Sequence, residues 1–122
     1  MPEPSTTPDP AAIPEHLRAR HVDVVAMAWE QLSEKSFRKL LYRDAASGGE
    51  VWLARIAPGG VIPLHEHPEV EMTYMLEGRL VDDEGECSAG NFVWRPAGSR
   101  HTARAPEGCL FLAVFGNPSR RL

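Results

Sequence analysis

The chain has 122 residues, of which 43% are hydrophobic and 25% charged, a balance typical of an ordinary globular protein with one modest core. Its formal net charge is −4, and acidic and basic residues are interspersed along the chain. The chain has no basic stripe that would indicate nucleic acid as a partner, and no run of about eighteen apolar residues that would span a membrane.

The N-terminal part is rich in Pro, Ser, Thr and acidic residues. This composition predicts a disordered or loosely attached arm over residues 1–21 and a folded domain over residues 22–122. The arm has neither the positive region nor the apolar core of a secretory signal. Cys87 and Cys109 form no C-x-x-C pair, so we expect two free, buried thiols. Together these features predict a cytoplasmic protein.

The first candidate elements lie between residues 22 and 56. Val22–Met27 is rich in β-branched residues and predicts a first strand. Trp29–Tyr42 fits either a helix or a strand by its apolar spacing. Because a Gly-Gly turn and the strand-like Val51–Ile56 follow it, we favour a turn over Ser33–Ser36 and a strand over Phe37–Arg43, which would form a hairpin.

The rest of the chain alternates short apolar runs with Gly- and Pro-rich turns. The runs are Val61–Leu64, Val70–Leu76, Arg79–Val81, Phe92–Trp94, His101–Ala105 and Cys109–Phe115. The strand from Val70 is expected to stop at Gly78. Short strands repeated at intervals of about 8–12 residues predict an all-β antiparallel sandwich or barrel.

Two segments carry a pattern typical of metal binding. They read Gly59-x5-His65-x-His67-x3-Glu71-x6-Gly78 and Gly90-x5-Pro96-x-Gly98-x2-His101. Residues two apart on a strand share a face, so His65 and His67 can present their imidazoles side by side. Glu71, an even number of positions further on, would face the same way, and His101 would complete a cluster of three imidazoles and one carboxylate.

This ligand set predicts one divalent metal ion, because imidazole and carboxylate suit Fe(II), Mn(II), Ni(II), Cu(II) and Zn(II). Four protein ligands leave two positions open in a six-coordinate shell, whereas they would close a tetrahedral zinc site. Which of these metals is bound stays open at this point.

Strand alternation makes further predictions about the neighbours of the cluster. It places Thr73 and Met75 inside, where Met75 is expected to pack the barrel rather than bind metal. Tyr74 would face outward and, with Trp94, cover the outer face of a sheet or a dimer surface. Solvent-exposed positions are expected for the three arginines that flank the second segment, Arg95, Arg100 and Arg104.

The two segments match the two signature motifs of the cupin superfamily at every fixed position except a final Asn, where Ala105 stands. The stretches LEGRLVDDEG, PAGSRHT and EGC resemble the ChrR-like cupin branch, and the resemblance covers about residues 29–115. It implies a small double-stranded β-helix barrel of the cupin or jelly-roll type, usually dimeric. It also implies that the metal ligands are His65, His67, Glu71 and His101.

The resemblance leaves three functions open. Similarity to cupins that cleave carbon–carbon bonds in β-diketones or hydroxyacetophenones implies an iron-dependent dioxygenase, which we place slightly ahead. Similarity to ChrR implies a non-catalytic sensor or ligand-binding module with a structural zinc. ChrR-type anti-sigma factors bind a sigma factor through a zinc-bound helical domain, and we do not expect that domain here. A metal-assisted isomerase or lyase would use the same ligands. In each case the partner is a small molecule and the chain is expected to form a homodimer.

Overall fold

The computed structural model describes residues 9–117 and 120–121, and within them the chain forms ten β-strands and two short 3-10 turns. The strands are Glu30–Gln31 (β1), Ser36–Arg43 (β2), Glu50–Ile56 (β3), Gly60–Glu66 (β4), Glu71–Asp82 (β5), Gly85–Ser88 (β6), Phe92–Arg95 (β7), Arg100–Ala105 (β8), Cys109–Phe115 (β9) and Arg120–Arg121 (β10). The turns are Pro10–Ala12 and Glu15–Leu17. The prediction of an all-β fold is confirmed.

All strand pairs are antiparallel, and the long strand β5 belongs to two sheets that curl around a common interior. Its first part pairs with β9 and β7 and extends the order β1-β2-β3-β9-β5. Its second part pairs with β6 and β8, and the order continues through β4 to β10. The β5–β6 pair closes through a tight turn after Asp82, as the short gap between the two sequence motifs requires.

Strand β5 passes from one sheet to the other at a bulge between Met75 and Glu77. Gly78 follows with φ +72°, and a Cβ at this position would collide with the carbonyl oxygen of Gly108. Glycine thus allows the close approach of two backbones. The prediction that the strand stops at Gly78 is wrong, because the glycine accommodates a bend and the strand runs on to Asp82.

The interior is filled by the inward faces of both sheets. Thr73 and Met75 are 2% and 0% exposed, whereas Tyr74 between them is 46% exposed, which confirms the predicted alternation. Met75 packs in the hydrophobic core, as expected. The core consists of Ala54, Ile56, Met75, Leu80, Cys87, Ala103, Ala105, Cys109, Phe111, Ala113 and Phe115. Both cysteines in it are free and buried.

The prediction of a first strand over Val22–Met27 is wrong. The backbone turns there instead, and the amide of Met27 donates to the carbonyl of Val24 at 3.2 Å. The carboxylate of Asp23 accepts from the amide of Ala26 at 3.2 Å. A short acidic side chain that binds the backbone locally competes with strand pairing, and this outweighs the β propensity of the valines.

The ambiguous segment that follows is a turn and a strand, as predicted. The amides of Leu32 and Ser33 both donate to the carbonyl of Ser36, at 2.8 and 3.3 Å, and β2 then pairs with β3 as a hairpin. The domain boundary after residue 21 stays a prediction. Among the described residues, no helix is long and apolar enough to cross a membrane.

Candidate metal centre

Three buried histidines meet in the interior between β4 and β8. His65 in β4 lies directly opposite His101 in β8, and His67 follows one residue after the end of β4. The ring centroids are 4.4 to 5.1 Å apart, and the ligand atoms of all three lie within 4.8 Å of one another. Each residue is at most 9% exposed. The predicted convergence of the three imidazoles is therefore present.

Backbone hydrogen bonds explain how the two sequence segments bring these histidines together. The amide of His67 donates to the carbonyl of Ser99 at 2.9 Å, and the amide of Gly98 donates to the carbonyl of His67 at 2.7 Å. Gly98 has φ +85°, a conformation that favours glycine. The Pro-x-Gly turn thus docks on the end of β4 and sets the start of β8 so that His101 reaches His65.

The three imidazoles are neutral near pH 7. Burial, together with the nearby His65 and His101, lowers the pKa of His67 to about 3. Burial likewise lowers the pKa of His101 to about 4, helped by the charge of Arg95. The pKa of His65 is also lowered, mainly by burial. Neutral imidazoles carry the free lone pair that a metal ligand needs.

The nitrogen positions suit a shared metal ion. The Nε2 atoms of His67 and His101 are 3.1 Å apart, and two nitrogens bound to one ion at about 2.0–2.1 Å and at a right angle would be about 3 Å apart. The Nδ1–H of His65 donates to the carbonyl of Pro63 at 2.9 Å. This bond fixes the proton on Nδ1 and leaves Nε2 of His65 free as a ligand atom.

Glu71, the fourth predicted ligand, lies beside the histidines but is not part of the group within 4.8 Å. Its Oε2 is 3.6 Å from Nδ1 of His67, and the hydroxyl of Thr73 donates to its Oε1 at 3.4 Å. Burial raises the pKa of Glu71 to about 7, against the opposing charge of Arg95. The carboxyl group is therefore close to the site and easily protonated, and its role as a ligand stays a prediction.

Two charged residues that the sequence did not point to complete the surroundings of the site. Arg95 was expected at the surface, but its side chain is only 11% exposed, so that prediction is wrong. Its Nη2 lies 2.8 Å from Oδ2 of Asp82, and the same oxygen lies 3.4 Å from Nδ1 of His101. Arg100 and Arg104 are exposed, as expected. Asp82 stands outside both motifs, in the stretch LEGRLVDDEG that resembles the ChrR-like branch, and that resemblance assigned it no role.

A cavity of about 220 Å³ lies next to the histidines. Aromatic and aliphatic side chains form most of its wall: Phe37, Trp52, Ile56, Ile62, Phe111 and Phe115. His65 and Glu71 supply polar groups on its surface. An apolar chamber with a few polar groups at one place is the usual form of a small-molecule site.

A double-sheeted β-barrel that encloses a cluster of histidines places the molecule in the cupin class. Residues 18–119 match the sequence model of the family described as ChrR Cupin-like domain, and the chain belongs to this family. The expectation of a cupin of the ChrR-like branch is confirmed.

Three relatives illustrate the likeness. The oxalate decarboxylase OxdC of Bacillus subtilis (strain 168) is 35% identical over 75 residues, which are 53% of this chain and 20% of that protein. An acetylacetone dioxygenase from Acinetobacter johnsonii superposes with a TM-score of 0.76 at 15% identity, covering 88% of this chain and 80% of the other. A chain in the complex of Rhodobacter sphaeroides SigE with the anti-sigma ChrR superposes with a TM-score of 0.66 at 23% identity, covering 75% of this chain and 51% of the other.

These relatives define the fold more closely than the activity. The chain spans about a fifth of the decarboxylase and about half of the chain matched in the ChrR complex. The structural likenesses, at 15% and 23% identity, show the shared architecture.

Proposed function

We propose that this chain is a metal-dependent dioxygenase of small organic molecules, with a β-diketone or a hydroxyacetophenone as the substrate type. Its ligands for one divalent ion would be His65, His67, Glu71 and His101. The observation that carries the proposal is that a cluster of neutral, buried imidazoles borders an apolar cavity through His65. The overall likeness to an acetylacetone dioxygenase supports the same substrate type.

The residues of the chain fit the chemistry of such a site. A bound ferrous ion would supply a Lewis acid and a template for the oxygen atoms of the substrate. The lowered pKa values of His67 and His101 keep their nitrogens free of protons. Glu71, when ionised, would reduce the net positive charge of the centre. Its raised pKa also allows it to hold a proton near neutral pH.

The cavity wall determines which molecules fit. Phe37, Trp52 and Phe111 present apolar surface that favours flat or compact apolar groups, whereas His65 marks the end at which a polar oxygen would be received. A volume of about 220 Å³ suits a small molecule rather than a polymer. A diketone with short alkyl arms or a single aromatic ring matches this combination.

Oxygen uptake tests the proposal. The purified protein is stripped of metal, loaded with Fe(II) without air, and mixed with acetylacetone or 2-hydroxyacetophenone in an oxygen electrode. We expect uptake that depends on substrate and is abolished in the zinc-loaded protein and in His101→Ala. No uptake by the iron-loaded wild type with members of either substrate type would contradict the proposal.

A second function is favoured by the family itself. The match to ChrR Cupin-like domains and the likeness to the SigE–ChrR complex support a non-catalytic module that binds a ligand around a structural zinc. Tightly held zinc, no exchangeable water position and no turnover after iron loading would favour this alternative. The buried, free state of Cys87 and Cys109 fits a reducing compartment, and we place either function in the cytoplasm.

We also propose that two copies of the chain pair through the outer face of β5 and β7. Five large side chains there are 40 to 59% exposed and carry no charge: Met72, Tyr74, Leu76, Phe92 and Trp94. Met72 and Trp94 are direct cross-strand neighbours, as are Tyr74 and Phe92, so these four side chains form one continuous surface. Half-exposed side chains of this size present roughly 500 Å² in total.

A second copy is the occupant that this face suits best. A stable interface buries about 800 Å² on each partner, and the adjoining Leu112 and Val114 of β9 extend the patch towards that size. Because none of these seven side chains carries a charge, the face is complementary to itself, as a two-fold dimer requires.

A further inference from the structure

We propose that Arg95 is a positioning residue for the candidate metal centre, acting through the carboxylates of Asp82 and Glu71. The inference rests on the proposed metal site and adds residues that neither sequence motif assigns. Arg95 is the last residue of β7, directly opposite Glu71 in β5. Its guanidinium reaches carboxylates at both ends of β5, since Asp82 is the last residue of that strand.

Of the two chains of contacts that start at Arg95, the one through Asp82 to His101 has the shorter distances. Nη2 of Arg95 lies 2.8 Å from Oδ2 of Asp82, and this oxygen lies 3.4 Å from Nδ1 of His101. The side chains of Arg95, Asp82 and His101 are 11%, 6% and 7% exposed, so water has little part in holding them. Among the described residues, Nδ1 of His101 has no hydrogen-bond partner. The carboxylate of Asp82 is therefore the acceptor available for its proton.

A second chain of contacts runs from Arg95 through the carboxylate of Glu71 to His67. Nε of Arg95 lies 3.8 Å from Oε1 of Glu71, and Oε2 lies 3.6 Å from the buried Nδ1 of His67, which also lacks a hydrogen-bond partner among the described residues. With a metal ion bound at Nε2, an ionised Glu71 beside Nδ1 would favour the tautomer of His67 that has its proton on Nδ1. His65 also has its proton on Nδ1, which donates to the carbonyl of Pro63.

Arg95 is the cation that contacts both carboxylates. Oδ1 of Asp82 also accepts from the amides of Glu84 and Gly85, at 2.8 and 3.1 Å, whereas its Oδ2 is the oxygen that lies between Arg95 and His101. Without the cation, each buried carboxylate would turn towards water or take up a proton. A guanidinium offers several donors in a rigid plane and can serve both at once, which a lysine cannot do in the same way. Removing Arg95 should therefore weaken the preference of His101, which it does not touch, for the tautomer with the proton on Nδ1.

The histidine tautomers in metal-free protein provide the first test. Nitrogen-15 NMR of wild type should show the proton of His101 on Nδ1, towards Asp82, while its Nε2 accepts from the Nε2–H of His67 at 3.1 Å. In Arg95→Met and in Asp82→Asn, which keeps the shape of the side chain, the His101 signals should move towards a mixture of tautomers. Arg104→Met, an exposed arginine of β8, is the matched control and should leave the signals unchanged. Unchanged His101 tautomers in both test variants would overturn the proposal.

Zinc titration provides the second test. Loss of the group that orients a ligand weakens metal affinity about 10–100-fold, so Arg95→Met and Asp82→Asn should each raise the Kd for Zn²⁺ by about that factor, with Arg104→Met as wild type. Arg95→Lys should restore only part of the affinity. If wild type binds no metal, the proposed function fails while the tautomer measurement still decides the role of Arg95. If folded variants bind zinc as tightly as wild type, Arg95 only stabilises the barrel and the proposal is wrong.

Discussion

His65 and His101 are direct partners across the β4–β8 pair, and their ring centroids are 4.4 Å apart. This contact depends on strand register, because a shift by one residue would turn either side chain to the opposite face of its sheet. A register shift already lies between Ile62 and His65 within β4. The site is thus assembled by the pairing of two strands far apart in sequence.

Replacing His101 with Ala should release the metal. Metal that binds only the folded state stabilises it by mass action, so the variant should melt at the temperature of metal-free wild type. Metal analysis and thermal unfolding with and without chelator measure both effects. His21→Ala, an exposed histidine outside the motifs, should behave as wild type. Full metal occupancy in His101→Ala would show that it is no ligand.

The buried imidazoles should make metal-free protein sensitive to acid. The folded pKa values of His67 and His101, about 3 and about 4, lie below the ordinary 6.5. Between these values the unfolded chain binds more protons, so the free energy of unfolding rises as pH rises from about 3 to 6.5 and is lost as pH falls. Urea unfolding at several pH values in chelator measures this slope. His67→Gln should reduce it, and an unchanged slope would contradict the assignment.

Glu71 should have the opposite effect on metal-free protein. Its pKa is raised from 4.5 to about 7, so the folded state binds more protons than the unfolded state between these pH values. The contribution of Glu71 to the free energy of unfolding therefore falls as pH rises from 4.5 to about 7. Glu71→Gln should therefore be more stable than wild type at pH 8, by roughly 2–3 kcal/mol, with little difference near pH 4. The exposed Glu69→Gln is the control.

The same Glu71→Gln variant tests the ligand assignment in the presence of metal. As a ligand, the carboxylate would contribute directly to binding, so Glu71→Gln should lower zinc affinity at pH 8 although the metal-free fold is more stable. Isothermal titration measures the affinity. Zinc binding as tight as in wild type would remove Glu71 from the ligand set.

Trp94→Glu should separate the proposed dimer into monomers, because a charge buried in an apolar interface is strongly unfavourable. Sedimentation equilibrium measures the mass in solution. Val61→Glu is the matched control: Val61 and Trp94 are both 59% exposed, but Val61 lies on β4, outside the proposed face. A monomeric wild type, or a dimeric Trp94→Glu, would exclude this interface.

Gly78→Ala should destabilise the barrel more than Gly90→Ala. Both glycines have positive φ, which disfavours alanine by about 1–2 kcal/mol. Only at Gly78 would the new Cβ collide with the backbone of Gly108, whereas nothing lies within 4 Å at Gly90. Overpacking adds about 1–3 kcal/mol, so denaturant unfolding should separate the two variants. Equal losses would mean that the contact with Gly108 yields without strain.

The sequence predicted those parts of the molecule that local pattern determines. Alternation placed Thr73 and Tyr74 correctly, and motif spacing brought the three histidines together. The sequence pattern placed Arg95 at the surface, although its side chain is buried. A cation is buried only where the fold supplies carboxylates, and Asp82 comes from the far end of another strand. The sequence pattern also missed the turn at Val22–Met27, where hydrogen bonding by Asp23 decides the backbone.

The bulge in β5 governs the chemistry of the interior as well as its shape. Glu71 and Asp82 are separated by an odd number of positions, so in a regular strand they would point to opposite sides. The extra residue near Met75 corrects this parity, and both acids come to face the same arginine. Straightening the bulge without changing the length of the strand would turn one of the two acids away from Arg95. The course of the backbone in β5 thus decides which charges surround the centre.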